Sequence, residues 1–444
     1  MDILNMASKM LGKHPLCDHC LGRQFALLGY AVENDQRGRA IKLVLTLKAH
    51  AAMLSKKSGG VRKLRALAIN GFFEPARELL NQMGKAVEAK SLETKCYLCT
   101  DRFDVTNELA AKAVQLLEDF EYNTFLVGTE LPATVAERED EFRAEFGVTH
   151  GENIRNEFGR LVGKEIARRT EKAVEFRRPE MVVLVDPFHE RVNLQANPLF
   201  VAGRYRKLVR DIPQSKWYCS ACHGKGCPKC NGTGKMYPES VQEIIEEPFL
   251  KATNGVKSSF HASGREDIDA RMLGNGRPFV IEITRPMKRF VNLNQLQKEV
   301  NSKGKGKVQI SGLKFADKNV VRKLKKGEST QKEYRVAIEF ENKITAEELR
   351  RLKRELTDIA IRQQTPLRVV HRRADMVREK YIYEVNVKKL SPKKAELKIR
   401  CQGGLYVKEL VTGDEGRTIP SVSAILGNKA KPLKLDVLNV MMED

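Results

Sequence analysis

Between Ser263 and Phe279 the chain reads SGREDIDARMLGNGRPF, which sets Asp267 and Asp269 among Arg265, Arg271 and Arg277, just ahead of the apolar run Val280 to Ile283. A carboxylate flanked by guanidinium groups is favoured in its charged form, and a charged carboxylate can act as a nucleophile or a base. Guanidinium forks in turn suit phosphate groups. Glycines at 264, 274 and 276 allow tight turns or a close approach to a ligand. The same residues would equally make a solvated, salt-bridged loop, so local chemistry leaves both readings standing.

A second chemistry lies in the cysteines. Eight of the nine form C-x-x-C pairs, at Cys17/Cys20, Cys96/Cys99, Cys219/Cys222 and Cys227/Cys230. In a reducing cytosol that spacing favours metal thiolates over disulfides. CSACHGKGCPKCNGTG is two tandem C-x-x-C-x-G-x-G units, Cys219 to Gly226 and Cys227 to Gly234, and four thiolates so spaced predict a structural zinc. Iron–sulfur chemistry is a poorer match without further cofactor signals. The pairs at 17/20 and 96/99 are distant in sequence, so joining them at a metal requires a long loop to close; two buried apolar thiol pairs are the alternative. Cys401, in the strand-like run LKIRC, reads as a core residue.

Composition bounds the rest. A chain of 444 residues exceeds one ordinary core, and two to four domains are expected. Its 79 Lys+Arg against 57 Asp+Glu give a net charge of +22, which suits a polyanionic partner without proving one. The start, MDILNMASKMLGKHPLC, lacks the apolar core of a secretory signal, and no stretch approaches the roughly 18 apolar residues of a membrane span. A soluble cytoplasmic protein without a membrane partner is therefore expected. Neither a P-loop nor a Rossmann fingerprint occurs, which argues against an organic cofactor. With no heptad or repeat interface, a monomer is the expectation.

The elements that must hold these groups read as α+β. Residues 1–100 mix helical patterns with the basic break KKSGGVRK at 56–63 and form a small helical region with the first cysteine pairs. Residues 101–213 carry helical periodicity at 107–122 and 152–169, and strand signals at 124–127, 181–185 and 191–194. RYRKLVRDIP at 204–213 sets Arg204, Arg206, Lys207 and Arg210 beside Tyr205, either to grip RNA backbone with the tyrosine stacked on a base or as an exposed basic linker. The four-cysteine module at 214–236 then separates this region from residues 237–444. There FVIEI, KVQISGL, YRVAIEF, YIYEVNV and AELKIR predict a mainly antiparallel sheet, and a helix over 346–362 opens on a capping box, Thr345 with Glu348. Basic turns at 301–307 and 318–328 border these strands and suit a phosphate backbone.

Against this background the run GREDIDARMLGNGRPF resembles the catalytic motif of the archaeal-type tRNA pseudouridine synthase family that carries a THUMP domain and acts on the T-arm. QKEYRVAIEF, QQTPLRVVHRRAD (Gln363 to Asp375) and GGLYVKELVTGDEGRTIPSVSAILG (Gly403 to Gly427) are similar to further segments of that family, in order, across most of the C-terminal half. The region around GRLVGKEIA, from Gly159, resembles a THUMP RNA-binding domain less sharply. The resemblance implies a pseudouridine synthase fold, tRNA as partner, and isomerisation of uridine 55 with uridine 54 as a second target. It implies that Asp267 is the catalytic residue, by covalent attack or by proton abstraction at the ribose, on a base turned out of the RNA. Tyr334 would stack on that base and help move a proton. Lys408 would hold the Asp267 carboxylate in place, and Leu426 would line the pocket. Tyr406 and Arg265 are further substrate-binding candidates; Arg271 and Arg277 compete with Arg265 for phosphate contact or loop bracing. The resemblance also implies that Cys17, Cys20, Cys96 and Cys99 join at a structural zinc. A non-catalytic zinc-containing RNA-binding protein is the rival reading; it explains the charge and the cysteines but gives the catalytic segments no purpose. A zinc chaperone, which shares the cysteine units, is disfavoured because Leu16 follows His14 and Pro15 where the signature needs aspartate.

Overall fold

The computed structural model describes residues 2–56, 58–88, 94–325 and 330–441. Lys57, in the basic break at 56–63, and residues 326–328 of the second basic turn lie outside the described residues. The chain divides into two compact units between Asn197 and Pro198. Among the described residues no helix is long and apolar enough to cross a membrane.

The N-terminal unit starts with helices α1 (Ile3–Lys13), α2 (Asp18–Gly22), α3 (Asn34–Leu54), α4 (Gly60–Ile69) and α5 (Glu74–Gln82). Met10, Leu11, Leu64, Leu67 and Leu80 share a core with Cys20, Cys96 and Cys99, so the first cysteine set is packed into this helical region. Next come α6 (Thr106–Leu117), β1 (Thr124–Thr129), α7 (Ala133–Phe146), α8 (Ile154–Thr170), β2 (Ala173–Val174), β3 (Met181–Asp186) and β4 (Arg191–Ala196). The four strands form one sheet in the order β2-β1-β3-β4, with β1 parallel to both neighbours and β4 antiparallel to β3. The helix expected over 107–122 stops at Leu117, because Tyr122 and Phe125 turn into the core that α6 shares with Val162 and Ile166 of α8.

The C-terminal unit holds β5 (Leu199–Lys207), α9 (Val241–Thr253), β6 (Lys257–Ala262), β7 (Arg271–Thr284), α10 (Leu293–Lys303), β8 (Val308–Ala316), α11 (Lys318–Lys325) and β9 (Gln331–Phe340). It continues through α12 (Ala346–Leu356), β10 (Ile359–Gln364), β11 (Val377–Ser391), β12 (Lys394–Gln402), α13 (Val407–Thr412), β13 (Thr418–Ile419), α14 (Val422–Leu426) and β14 (Ala430–Val440). All ten strands join one sheet, β13-β10-β11-β12-β9-β14-β7-β5-β8, with β6 beside β7. The sheet is mixed: β14 meets β7 in parallel at Asp436↔Arg271 and Val437↔Met272, whereas the other ladders are antiparallel.

Four sequence expectations change here. The basic turn expected over 318–328 is helical from Lys318 to Lys325, as α11, because Val321 and Leu324 share a helix face that packs on Ala202 and Val280. The strand β5, grouped by sequence with residues 101–213, pairs with β7 and β8 and therefore belongs to the C-terminal unit. Its Tyr205 is fully buried and cannot stack on RNA, since a strand with neighbours on both sides turns alternate residues into the core. The helix expected over 346–362 ends at Leu356; Asp358 adopts φ 60° and the β-branched run from Ile359 becomes β10. A small core of Ala202, Val280, Val321 and Leu324 packs on the sheet beside two larger ones. One gathers β9, β10, β11 and β12 with α12, α13 and α14, the other β5, β7 and β8 with α9 and α10, and Tyr334 packs against both.

Candidate active site

Asp267 lies on the loop between β6 and β7, and the residues that fix that loop come from segments whose charges looked solvent-facing in sequence. Lys207, at the end of β5 and fully buried, donates to the carbonyls of Asp267 (3.2 Å), Ile268 (3.0 Å) and Ile212 (2.9 Å). Glu266, next to Asp267, is buried and accepts from Arg277 Nε (2.8 Å) and from the Tyr205 hydroxyl (3.0 and 2.9 Å). Arg277 also donates to the Ser263 carbonyl at 2.7 Å. Burial opposes the Arg277 charge, but Glu266 raises its pKa overall. From the other side, Arg210 donates to the carbonyls of Asp269 and Leu435, both at 2.7 Å, and to Asp436 at 2.6 Å. Asp436 also accepts from Arg271 (2.9 Å twice) and Arg335 (3.0 Å); burial opposes its charge, yet these guanidinium groups bring its carboxyl down to about 2. From the basic run at 204–210, Tyr205, Lys207 and Arg210 thus brace the loop from beneath.

This bracing aims the Asp267 carboxylate at two cations. Its Oδ2 lies 3.2 Å from Lys408 Nζ and 3.3 Å from Arg368 Nη1. Lys408, on α13, also donates to both oxygens of Asp269 at 2.8 Å, so it bridges the two aspartates. Burial raises and Lys408 lowers the Asp269 carboxyl, with a net downward shift. Arg368 is held in turn by the buried Glu409 at 2.6 Å. Burial works against the Arg368 charge and Glu409 more than restores it.

The carboxylate faces a cleft of about 280 Å³. Tyr334 forms part of its floor; burial first, then Cys401, raise the tyrosine pKa, so its hydroxyl is a poor source of phenolate. Apolar wall is supplied by Leu405, Val407, Leu435 and Val437. Tyr406 lines the same cleft, its backbone held by the Gln363 side chain (2.8 and 3.0 Å) and its hydroxyl accepting from Arg373 at 2.8 Å. Leu426, by contrast, does not line this cleft; it closes the short α14 and packs half-buried on the core, and the neighbouring strand β14 provides Leu435 instead. Of the three arginines that sequence left unranked, Arg277 is buried as a brace and Arg271 is bonded to Asp436. Arg265 stays exposed at the rim, with no hydrogen bond or ion pair among the described residues. Arg368, Glu409 and Glu266 were missed as site residues, although each lies within a family-like run: Arg368 between Gln363 and Asp375, Glu409 between Gly403 and Gly427, and Glu266 beside Asp267 itself.

Both cysteine sets converge. In each, the four Sγ atoms lie within 4.8 Å of one another. Tetrahedral thiolate coordination at about 2.3 Å places sulfurs roughly 3.8 Å apart. The observed pairs match, with Cys17 to Cys99 at 3.6 Å, Cys219 to Cys227 and Cys222 to Cys230 at 3.8 Å, and Cys227 to Cys230 at 3.7 Å. In the second set backbone amides of Gly226, Cys227 and Gly234 donate to Cys222 and Cys230 at 3.2 to 3.3 Å, as thiolates require. The glycines make the tandem units interlock: a Cβ on Gly226 would lie 2.7 Å from the Gly232 carbonyl, and one on Gly234 only 2.4 Å from that of Gly224. In the first set Arg23, buried, donates to Cys20 Sγ at 3.7 Å and pairs with Glu139. Each set can therefore hold one tetrahedral cation, and Cys401 is apart from both, buried in the core.

Comparison with known proteins agrees with this architecture. Residues 200–441 match the family described as Pus10, C-terminal, and residues 109–186 match the Pus10 THUMP domain, archaeal. A protein of Methanocaldococcus jannaschii named tRNA pseudouridine synthase Pus10 is 43% identical over 452 residues, covering 99% of this chain and 94% of that one. Proteins of the same name from Methanothrix thermoacetophila (40% identical, 99% and 94% covered) and Pyrococcus furiosus (38% identical, 99% and 98% covered) are similar along their length. A family match over more than half the chain and identities of this size across nearly all of it lead to one conclusion: the chain belongs to the Pus10 family of tRNA pseudouridine synthases.

Proposed function

We propose that this protein converts uridine 55, and as a second target uridine 54, of the tRNA T-arm into pseudouridine. The reading is supported above all by the meeting of Asp267, Lys408 and Tyr334, drawn from three separate segments, in one cleft of a Pus10-family chain. A uridine in a folded T-arm has to be turned out of the stack to reach such a cleft. Its base then lies on Tyr334 against the wall of Leu405, Leu435 and Val437, and the Asp267 carboxylate acts at the ribose. Lys408 and Arg368 orient that carboxylate, Tyr406 closes the side of the cleft, and Arg265 at the rim meets a flanking phosphate. The net charge of +22 supports the same polyanionic partner. Transcripts with cytidine at 54, at 55 or at both separate the targets: the protein is expected to form one pseudouridine on each single substitution and none on the double. Product elsewhere in the tRNA contradicts the assignment.

The two cysteine sets are proposed to hold structural zinc, with no organic cofactor. Zinc would be held by Cys17, Cys20, Cys96 and Cys99 in one unit, where it would crosslink distant parts of the chain, and by Cys219, Cys222, Cys227 and Cys230 in the other, where it would fix a local loop module. Metal analysis should find two zinc ions per chain, falling to one in Cys230→Ser, which removes the sulfur that receives two amide hydrogen bonds. Unchanged metal content in that variant counts against the second site.

A further inference from the structure

One cation in the cleft has no role so far. Lys408 and Arg368 share carboxylates, and Arg373 is bonded to the Tyr406 hydroxyl. Lys332 lies on β9 two residues before Tyr334 and therefore on the same strand face. It lines the cleft half-buried, and its ammonium has no hydrogen bond or ion pair with any described residue. Gly264, on the catalytic loop, leaves it room: a Cβ there would be 3.0 Å from Lys332 Nζ. The charged and titratable groups facing it are Arg277 from β7, Glu266 from the loop, Lys380 from β11 and Cys401 from β12. Glu266, the natural counter-ion, is already engaged by Arg277 and Tyr205. Burial above all, and then Arg277, lower the Lys332 ammonium to about 8. A partly desolvated charge without a partner costs the fold free energy, and a methionine of similar length would fill the space at less cost. Such a group suits an anion that is present only during reaction.

The isomerisation produces one. When the bond between ribose C1′ and uracil N1 breaks, its electron pair leaves with the base and spreads over N1 and the two carbonyl oxygens, so the freed ring carries negative charge. We infer that Lys332 is a further catalytic residue, whose ammonium donates a hydrogen bond to a carbonyl oxygen of the departing uracil and holds the ring as an anion until its carbon 5 bonds to C1′. Nζ keeps its proton throughout. The ring's charge is neutralised as the new carbon–carbon bond forms, after which C5 releases its hydrogen as a proton and N1 takes one up. A donor fixed where charge develops, in a site shielded from water, contributes to catalysis in proportion to that charge.

The inference rests on the proposed activity, and its test separates the two. Lys332→Met and Lys332→Arg are compared with wild type on an unmodified tRNA transcript and on one carrying 5-fluorouridine, whose more acidic base leaves with less help. Lys332→Met is expected to cleave the glycosidic bond of uridine about 10²-fold more slowly. Its tRNA affinity should be unchanged and its melting temperature equal or higher. On 5-fluorouridine the defect should shrink by about an order of magnitude, and arginine should restore part of the uridine rate. Wild-type turnover should fall as pH rises through about 8 while Lys332→Arg stays active to higher pH, the sign expected of an essential ammonium. Wild-type-like rates in Lys332→Met, or equal losses on both transcripts, overturn the inference while leaving the activity intact. A wild-type protein that makes no pseudouridine contradicts the activity itself, and this inference with it.

Discussion

Asp267→Asn is expected to abolish isomerisation, by at least about 10³-fold or roughly 4 kcal/mol of barrier, while tRNA affinity changes little. The substitution keeps the shape of the side chain and removes its charge. It should not unfold the site, because each cation that loses Asp267 retains another anion: Lys408 keeps both oxygens of Asp269 at 2.8 Å, and Arg368 keeps Glu409 at 2.6 Å. Loss of activity with an intact melting curve therefore reports chemistry rather than collapse. Asp269→Asn is the internal control. Asp269 is more exposed and serves as the second partner of Lys408, so its loss should slow the reaction only several-fold. Single-turnover rates on a tRNA transcript, with binding measured separately, check both; the reverse ranking would move the catalytic assignment to Asp269.

The largest expected effect on stability lies one residue away. Glu266→Ala leaves the Arg277 guanidinium buried without its anion and the Tyr205 hydroxyl without its acceptor. Removing one partner of a buried, hydrogen-bonded pair costs about 3–5 kcal/mol. For a unit of this size that corresponds to a fall of roughly 10 °C in its melting temperature. Pairing the change with Arg277→Met, which removes the orphaned charge, should recover a large part of the loss, since an apolar replacement of both partners is often neutral. Calorimetry of the single and double variants tests this. Additive losses would mean that Glu266 and Arg277 do not act as a pair. Because Glu266 belongs to the Ser263 to Ala270 loop and ties it to Arg277, Glu266→Ala should also slow isomerisation through misplacement of Asp267.

How much of this was legible in the sequence depended on whether the cause was local. Asp267, Tyr334 and Lys408 lie in family-like segments and could be named from them; their meeting in one cleft needed the fold. The cysteine module at 219–230 was readable because its ligands are adjacent, whereas bringing Cys17 and Cys20 to Cys96 and Cys99 takes a whole helical core. Charge misled most. Lys207, Arg210 and Tyr205 read as an RNA grip or an exposed basic linker because lysines and arginines are usually exposed, yet here they are bonded to backbone carbonyls and carboxylates under the loop. Leu426 illustrates a second limit. The helix α14 and the strand β14 are neighbours in sequence, and it is the pairing of β14 between β9 and β7 that brings Leu435 and Val437 to the cleft that Asp267 faces. Arg368 was invisible for a similar reason, since its partners Asp267 and Glu409 come from different parts of the chain.

The central claim is that this cleft isomerises uridine in the T-arm, and nucleotide-resolution mapping of pseudouridine on an unmodified tRNA transcript incubated with the purified protein tests it most directly. The account predicts pseudouridine at 55 and at 54 with the wild-type protein and at neither with Asp267→Asn. Tight tRNA binding without any pseudouridine would contradict it and leave an RNA-binding protein in its place.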